Sequence, residues 1–261
     1  MNFTEKESFD FNDLVEIMKF LRAPDGCPWD KVQTHESIRS NFIEETYEVI
    51  EAIDTKDSEL LKEELGDVLL QVVFHAEMSS EENDFDINDV INGICKKLVV
   101  RHPHVFGNVK ANNSQEALKS WDDVKMQTKS QKKQSEVMNS VSKTLPSLMR
   151  AAKIQQKAAK VGFDWDNVNG PLDKIVEETN ELKNAIRNGD TANQAEELGD
   201  LLFSVVNVSR FLKIDSEKAL YDACDKFTDR FRALECLAAE RNIDVKTASL
   251  SELDSLWEEV K

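Results

Sequence analysis

Glu44-Glu-Thr-Tyr-Glu48, followed by Glu64-Leu-Gly-Asp67, returns 133 residues later as Glu177-Glu-Thr-Asn-Glu181, followed by Glu197-Leu-Gly-Asp200. The internal spacing is the same: 19 residues from Glu45 to Glu64 and 19 from Glu178 to Glu197. One acidic cluster is an ordinary solvated helix face. A cluster that recurs in order and in register marks a duplicated unit. Other landmarks repeat with it. Trp29 and Trp121 match Trp165 and Trp257 at an offset of 136, and Lys97 and Arg101 match Lys226 and Arg230 at 129. Short loop insertions account for that drift.

At 261 residues the chain accommodates two units of ordinary domain size, each able to bury a core. The duplication sets the expected organisation: a first unit over 1–126, a polar linker over 127–142, and a second unit over 143–261. Glycine and proline are scarce, at 8 and 5 residues, and Glu, Lys, Leu and Ala are abundant, which favours helix. Helices are expected near 10–22, 36–54, 57–80, 86–101 and 114–125. In the second unit they are expected near 147–160, 171–188, 191–212, 215–240 and 249–260. No alternating pattern is long enough to suggest a sheet. The expected fold class is all-α, with two tandem helical bundles.

The net charge of −17 opposes a general affinity for nucleic acid, whose phosphates repel an acidic surface. It leaves room for a small phosphate ligand held through a cation. Cys27, Cys95, Cys224 and Cys236 form no Cys-x-x-Cys pair and read as reduced thiols of a cytoplasmic protein. No stretch approaches the ~20 apolar residues that span a bilayer, and the first residues lack a signal-peptide pattern.

The two acidic blocks fall on adjacent helices. With Glu45 at 0° on a helical wheel, Phe42, Ile43, Thr46, Val49, Ile50 and Ile53 occupy roughly 40–160°, an expected buried stripe. Glu48 lies beside Glu45 on its margin, and Glu44 lies further out. On the next helix Leu65, Val68, Leu69 and Val72 form the stripe, with Glu64 and Asp67 on its margin. Glu178 and Glu181 sit likewise beside Ile175, Thr179, Leu182 and Ile186. Glu197 and Asp200 sit beside Leu198, Leu201, Leu202 and Val205. Gly66 and Gly199 inside these helices suggest close backbone approach. A short turn makes each helix pair an antiparallel hairpin and brings four carboxylates together. Two unit charges 4 Å apart repel by about 4 kcal/mol at an effective dielectric of 20. A hard divalent cation relieves that repulsion. An all-oxygen set without imidazole suits Mg²⁺, with Mn²⁺ as a substitute. Mg²⁺ commonly shares its ligands with substrate phosphates.

These blocks, together with Cys27-Pro-Trp-Asp30, Arg101-His-Pro-His-Val-Phe106 and Val161-Gly-Phe-Asp-Trp165, resemble the MazG family of nucleoside triphosphate pyrophosphohydrolases over nearly the whole chain. The resemblance implies all-α, Mg²⁺-dependent domains that hydrolyse nucleoside triphosphates to monophosphate and pyrophosphate, clearing abnormal or excess nucleotides. It implies that Glu178, Glu181, Glu197 and Asp200 hold Mg²⁺ and that Lys174, Lys226 and Arg230 meet phosphate. Trp257 would stack on the base, and Glu196 would stand behind the metal ligands or help orient water. The second unit would be the active one. The first keeps Glu45, Glu48, Glu64, Asp67, Lys97, Arg101 and Trp121, but Asn41 stands where Lys174 does in the second, so weak turnover is expected there. A homodimer whose bundles complete each other is expected for units with one strong apolar face.

Other features carry less. His102 and His104 flank a proline at a helix end and read as structural, and His75 has no evident partner in the sequence. Trp29 and Trp165 read as packing anchors. No phosphate-binding glycine loop is present. A nucleotide-sensing module that binds NTP and Mg²⁺ without turnover is the alternative function. A plain helical scaffold is a third, and a di-iron bundle is disfavoured because Glu-x-x-His pairs are absent.

Overall fold

In the computed structural model the described residues are 6–114, 116, 117, 120, 121, 124 and 133–261. Among them there is no strand, and none of their helices is long and apolar enough to cross a membrane. The chain divides into two compact units, Met1–Thr128 and Lys129–Lys261.

The first unit opens with α1 (Phe11–Arg22). Asp10 caps it by accepting from the backbone of Asn12 and Asp13, while the Asp13 carboxylate accepts from Asp10 N–H at 2.9 Å. A 3₁₀ turn at Asp30–Val32 follows, then α2 (Arg39–Thr55) and α3 (Ser58–Glu81). Helix α2 starts three residues later than expected because the Thr34 and Ser37 side chains hydrogen-bond each other's backbone N–H groups and hold a turn there. Helices α4 (Ile87–Arg101) and α5 (Pro103–Phe106) complete the regular elements. Of the helix expected over 114–125, only residues 114, 116, 117, 120, 121 and 124 are described, and all are helical. Met18, Ile38, Val73, Phe74, Met78 and Ile87 form the core, which packs α1 and the start of α4 across α3. Each such side chain contributes about 1.5–3 kcal/mol on burial.

The second unit contains α6 (Gln134–Asn139), α7 (Ser147–Ala159), α8 (Asn169–Asn188), α9 (Thr191–Leu212), α10 (Ser216–Glu240) and α11 (Leu250–Glu259). Helix α6 lies inside the stretch expected as a linker. It docks on α7 through buried Val137 and a 2.5 Å hydrogen bond from Gln134 Nε2 to the Lys157 carbonyl. The first part of that stretch, 127–132, lies outside the described residues. Leu234, Ala238 and Leu256 form a small core between α10 and α11.

The hairpins α2–α3 and α8–α9 turn in the same way. Lys56 and Gly189 both close their first helix in the left-handed region, at φ 59° and 68°, and Asp57 and Asp190 then cap the second helix. Two expectations about these hairpins need correction. Much of the stripe expected to be buried is exposed, including Ile43, Ile50, Ile53, Ile186, Leu198 and Leu202. Helices α1 and α4 pack on α3, and α7 and α10 pack on α9, yet these side chains stay exposed. Gly66 and Gly199 also face open space: a Cβ added at either would meet nothing within 4 Å. Among the described residues they are not sites of close approach.

Candidate functional site

Hairpin geometry sets the carboxylates in each unit. In α2–α3, one oxygen each from Glu45, Glu48 and Glu64 lie within 4.8 Å of one another. In α8–α9, Glu178, Glu197 and Asp200 do the same. The i, i+3 spacing places the pairs on one face, and the left-handed turns at Lys56 and Gly189 fix which residues of the partner helix they meet. Glu178 and Glu64 are buried, with relative exposures of 4% and 9%, although both are acidic. Glu44, which the wheel put further out, is exposed.

This crowding disfavours ionisation. Burial, followed by the charges of Asp67 and Glu48, raises the Glu45 carboxyl above its ordinary value. Burial, followed by Glu48 and Asp67, raises Glu64. In the second unit burial and the charges of Glu181 and Glu178 raise Glu197. Asp67 and Glu181 thus act electrostatically on their clusters while standing outside the closest triads. Three or four oxygens that repel one another at this spacing, with no nitrogen or sulfur among them, form a donor set suited to a hard cation.

Lys174 is already engaged. Its Nζ lies 2.6 Å from Glu178 Oε1 and 2.9 Å from Glu177 Oε1. Hydrogen bonds to Glu178 and then Glu177 hold its ammonium strongly in the protonated form. No ion pair among the described residues falls on Glu45, Glu48, Glu64 or Asp67. Lys174, Glu177 and Glu178 have the i, i+3 and i, i+4 spacing that produces this pairing, which is the signal in the sequence for it.

The remaining candidate residues lie elsewhere. Lys226 is exposed and Arg230 half-buried on α10. Trp257 on α11 packs against Phe227, with ring centroids 5.1 Å apart. Among the described residues no Cα pair within 8 Å joins α10 or α11 to α8. Helix packing within one chain therefore does not bring Lys226, Arg230 and Trp257 onto the helix of Glu178. Glu196 is exposed beside Glu197. In the first unit Lys97 is exposed, and the Arg101 guanidinium lies 5.3 Å from the Trp121 ring centroid.

His75 does have a partner, contrary to expectation: its Nδ1 is 2.7 Å from Nδ1 of His35, and the two rings are nearly parallel. Sequence spacing could not reveal a pair formed by a loop and a helix 40 residues apart. His102 Nδ1 lies 2.6 Å from the Leu98 carbonyl, a helix-end contact. Trp29 and Trp165 are about half exposed. The Trp165 ring lies so close to Gly170 that a Cβ there would come within 2.5 Å of it.

The model of the MazG nucleotide pyrophosphohydrolase domain matches twice, at residues 33–106 and 170–234, once over each hairpin. The nucleoside triphosphate pyrophosphohydrolase/pyrophosphatase MazG of Thermotoga maritima is 47% identical over 96% of this chain and 95% of its own length. The nucleoside triphosphate pyrophosphohydrolase of Escherichia coli K12 is 44% identical over 95% of each chain. A solved mazG-related protein from Thermotoga maritima aligns with 44% of this chain and 97% of its own, at 29% identity and a TM-score of 0.38. The family pattern is present in both units and the relatives align from end to end: the chain belongs to the MazG nucleotide pyrophosphohydrolase family.

Proposed function

We propose that the chain hydrolyses nucleoside triphosphates between the α and β phosphates, giving nucleoside monophosphate and pyrophosphate, with Mg²⁺ as cofactor and Mn²⁺ as substitute. The carrying observation is the second-unit cluster, where three carboxylates converge within 4.8 Å and the Lys174 ammonium stands directly beside them. The two curated relatives named above are both named for nucleoside triphosphate pyrophosphohydrolysis, which supports the reading.

Glu178, Glu181, Glu197 and Asp200 would hold the metal, which supplies positive charge to the phosphate oxygens as the bond breaks. Lys174 carries a cation on a flexible stem beside that position and meets the phosphates. Lys226 and Arg230 add further positive charge, Trp257 stacks on the base, and Glu196 orients the attacking water. The exposed apolar faces of α8, α9 and α10 support a homodimer, since contiguous apolar surface of this kind marks an interface. In that dimer α10 and α11 of one copy come against α8–α9 of the other, which brings the dispersed cations and Trp257 to the carboxylates. The first unit binds metal and turns over poorly, because Asn41 supplies no cation. The protein acts in the cytoplasm on abnormal or excess nucleotides.

The test is product analysis by ion-exchange chromatography after incubation with a nucleoside triphosphate panel and Mg²⁺. Monophosphate and pyrophosphate should form and should vanish in Glu178→Ala but persist in Glu45→Ala. Diphosphate plus phosphate would refute the bond assignment. Binding without turnover of any nucleotide would establish a sensing module instead.

A further inference from the structure

The two carboxylate clusters are alike except in one charge. Glu44, Glu45, Glu48, Glu64 and Asp67 match Glu177, Glu178, Glu181, Glu197 and Asp200 residue for residue, but Asn41 faces Lys174 across the repeat. In the second unit the Lys174 ammonium bridges Glu177 and Glu178 at 2.9 and 2.6 Å. Glu178 is 4% exposed and belongs to the triad whose oxygens converge. A divalent cation bound by that triad would therefore sit next to a fixed positive charge and would compete with it for the same carboxylate. Among its described residues the first unit has no such competitor. No ion pair of the described residues reaches its four carboxylates, and Glu45, Glu48 and the 9%-exposed Glu64 each turn an oxygen to within 4.8 Å of the others.

We infer that Lys174 is a resident counter-ion that keeps divalent metal out of the second unit until a polyphosphate draws the ammonium off Glu178, and that the first unit is a standing, nucleotide-independent divalent-cation site. The inference rests on the reading of both clusters as metal sites given above. It assigns them different loading rules. The first cluster takes the cation alone. The second takes cation and polyphosphate together, because the ligand that carries the metal's remaining partners also gives Lys174 a replacement anion.

Mn²⁺ is the probe, counted on the nucleotide-free dimer or monomer by the loss of the free-ion EPR signal. Wild type should bind Mn²⁺ at one strong site per chain, abolished by Glu64→Gln and untouched by Glu197→Gln. Adding an α,β-methylene nucleoside triphosphate, which is not cleaved, should load a second site that Glu197→Gln abolishes. Lys174→Met should load that second site without nucleotide, with affinity raised about tenfold or more, the scale of one nearby charge. Asn41→Lys should weaken the first site by a similar factor. That reciprocal variant decides the matter even where Lys174→Met fails to fold. Equal Mn²⁺ affinity of both units in nucleotide-free wild type, with no change in either lysine variant, would overturn the counter-ion role. No Mn²⁺ at either cluster with or without nucleotide would overturn the metal reading itself.

Discussion

Cutting Leu256 back to alanine tests how α11 presents Trp257. Leu256 is 1% exposed and meets Leu234 and Ala238, at 2% and 0%, in the small core between α10 and α11. Among the described residues α11 packs on no helix but α10. At ten residues it is too short to persist alone in water. Leu253, Trp257 and Val260 pack around that core, and the polar ties of α11 are weak. The Arg241–Glu259 ion pair is surface-exposed and worth about 0–1 kcal/mol. The Ser249–Glu252 capping box adds about 1 kcal/mol to the helix but nothing to its docking. Leu→Ala in a core costs about 2–5 kcal/mol. Nearly all of that loss should fall on docking of this one helix, because the hairpin α8–α9 and its carboxylates do not touch it. Native-state hydrogen exchange should show protection over 250–259 falling by about 30-fold or more, the factor for about 2 kcal/mol. Protection over 169–212 should fall far less, since within one chain the hairpin does not touch α11. On the proposed role of Trp257, KM for nucleoside triphosphate should rise while Mn²⁺ binding stays intact, since the indole would be displaced and the carboxylates would not. Unchanged exchange over 250–259 would refute the claim that Leu256 holds α11. Faster exchange with unchanged KM would refute the role of Trp257.

Further outcomes follow from the same geometry. Glu197→Gln keeps the shape of the second cluster but removes one charge and one anionic oxygen, so pyrophosphate release should fall by at least about 100-fold while the far-UV spectrum is unchanged. In the first unit Glu45 and Glu64 titrate above their ordinary value of 4.5 in the fold. Their stabilising neutral form is therefore fully present below that value and lost as pH rises past the raised one. In chelator, the Glu45→Gln/Glu64→Gln variant should have a higher Tm than wild type at pH 7, with the gap closing towards pH 4.5, and a constant gap would refute the sign. Leu202→Glu with Ile186→Glu places charge on the exposed apolar face and should shift the sedimentation coefficient to that of a monomer. Lys56 holds a left-handed conformation that Gly189 occupies in the repeat, so Lys56→Gly should stabilise by a few tenths to about 1 kcal/mol in urea unfolding.

The sequence by itself determined the duplication, the all-helical class and the two carboxylate sets. Each of these rests on periodicity and register, which a linear string carries in full: Glu178 and Glu181 lie on one helix face whatever surrounds them. It also showed that Asn41 stands where Lys174 does, a difference any alignment of the halves exposes. Tertiary structure decided what those faces meet. The wheel placed Ile43, Ile50 and Ile186 in a core, but a wheel shows only that a face is apolar, not that the same chain covers it. Gly66 and Gly199 inside helices suggest close approach, and only packing shows open space there. The His35–His75 pair needed the loop before α2 to fold back along α3. The dispersal of Lys226, Arg230 and Trp257 on helices that do not touch α8 depends on long-range packing, which no local pattern encodes. The cluster residues were legible because a hairpin with a short turn makes their meeting nearly local. Where the other proposed residues stand was not, because it depends on contacts between elements far apart in the chain.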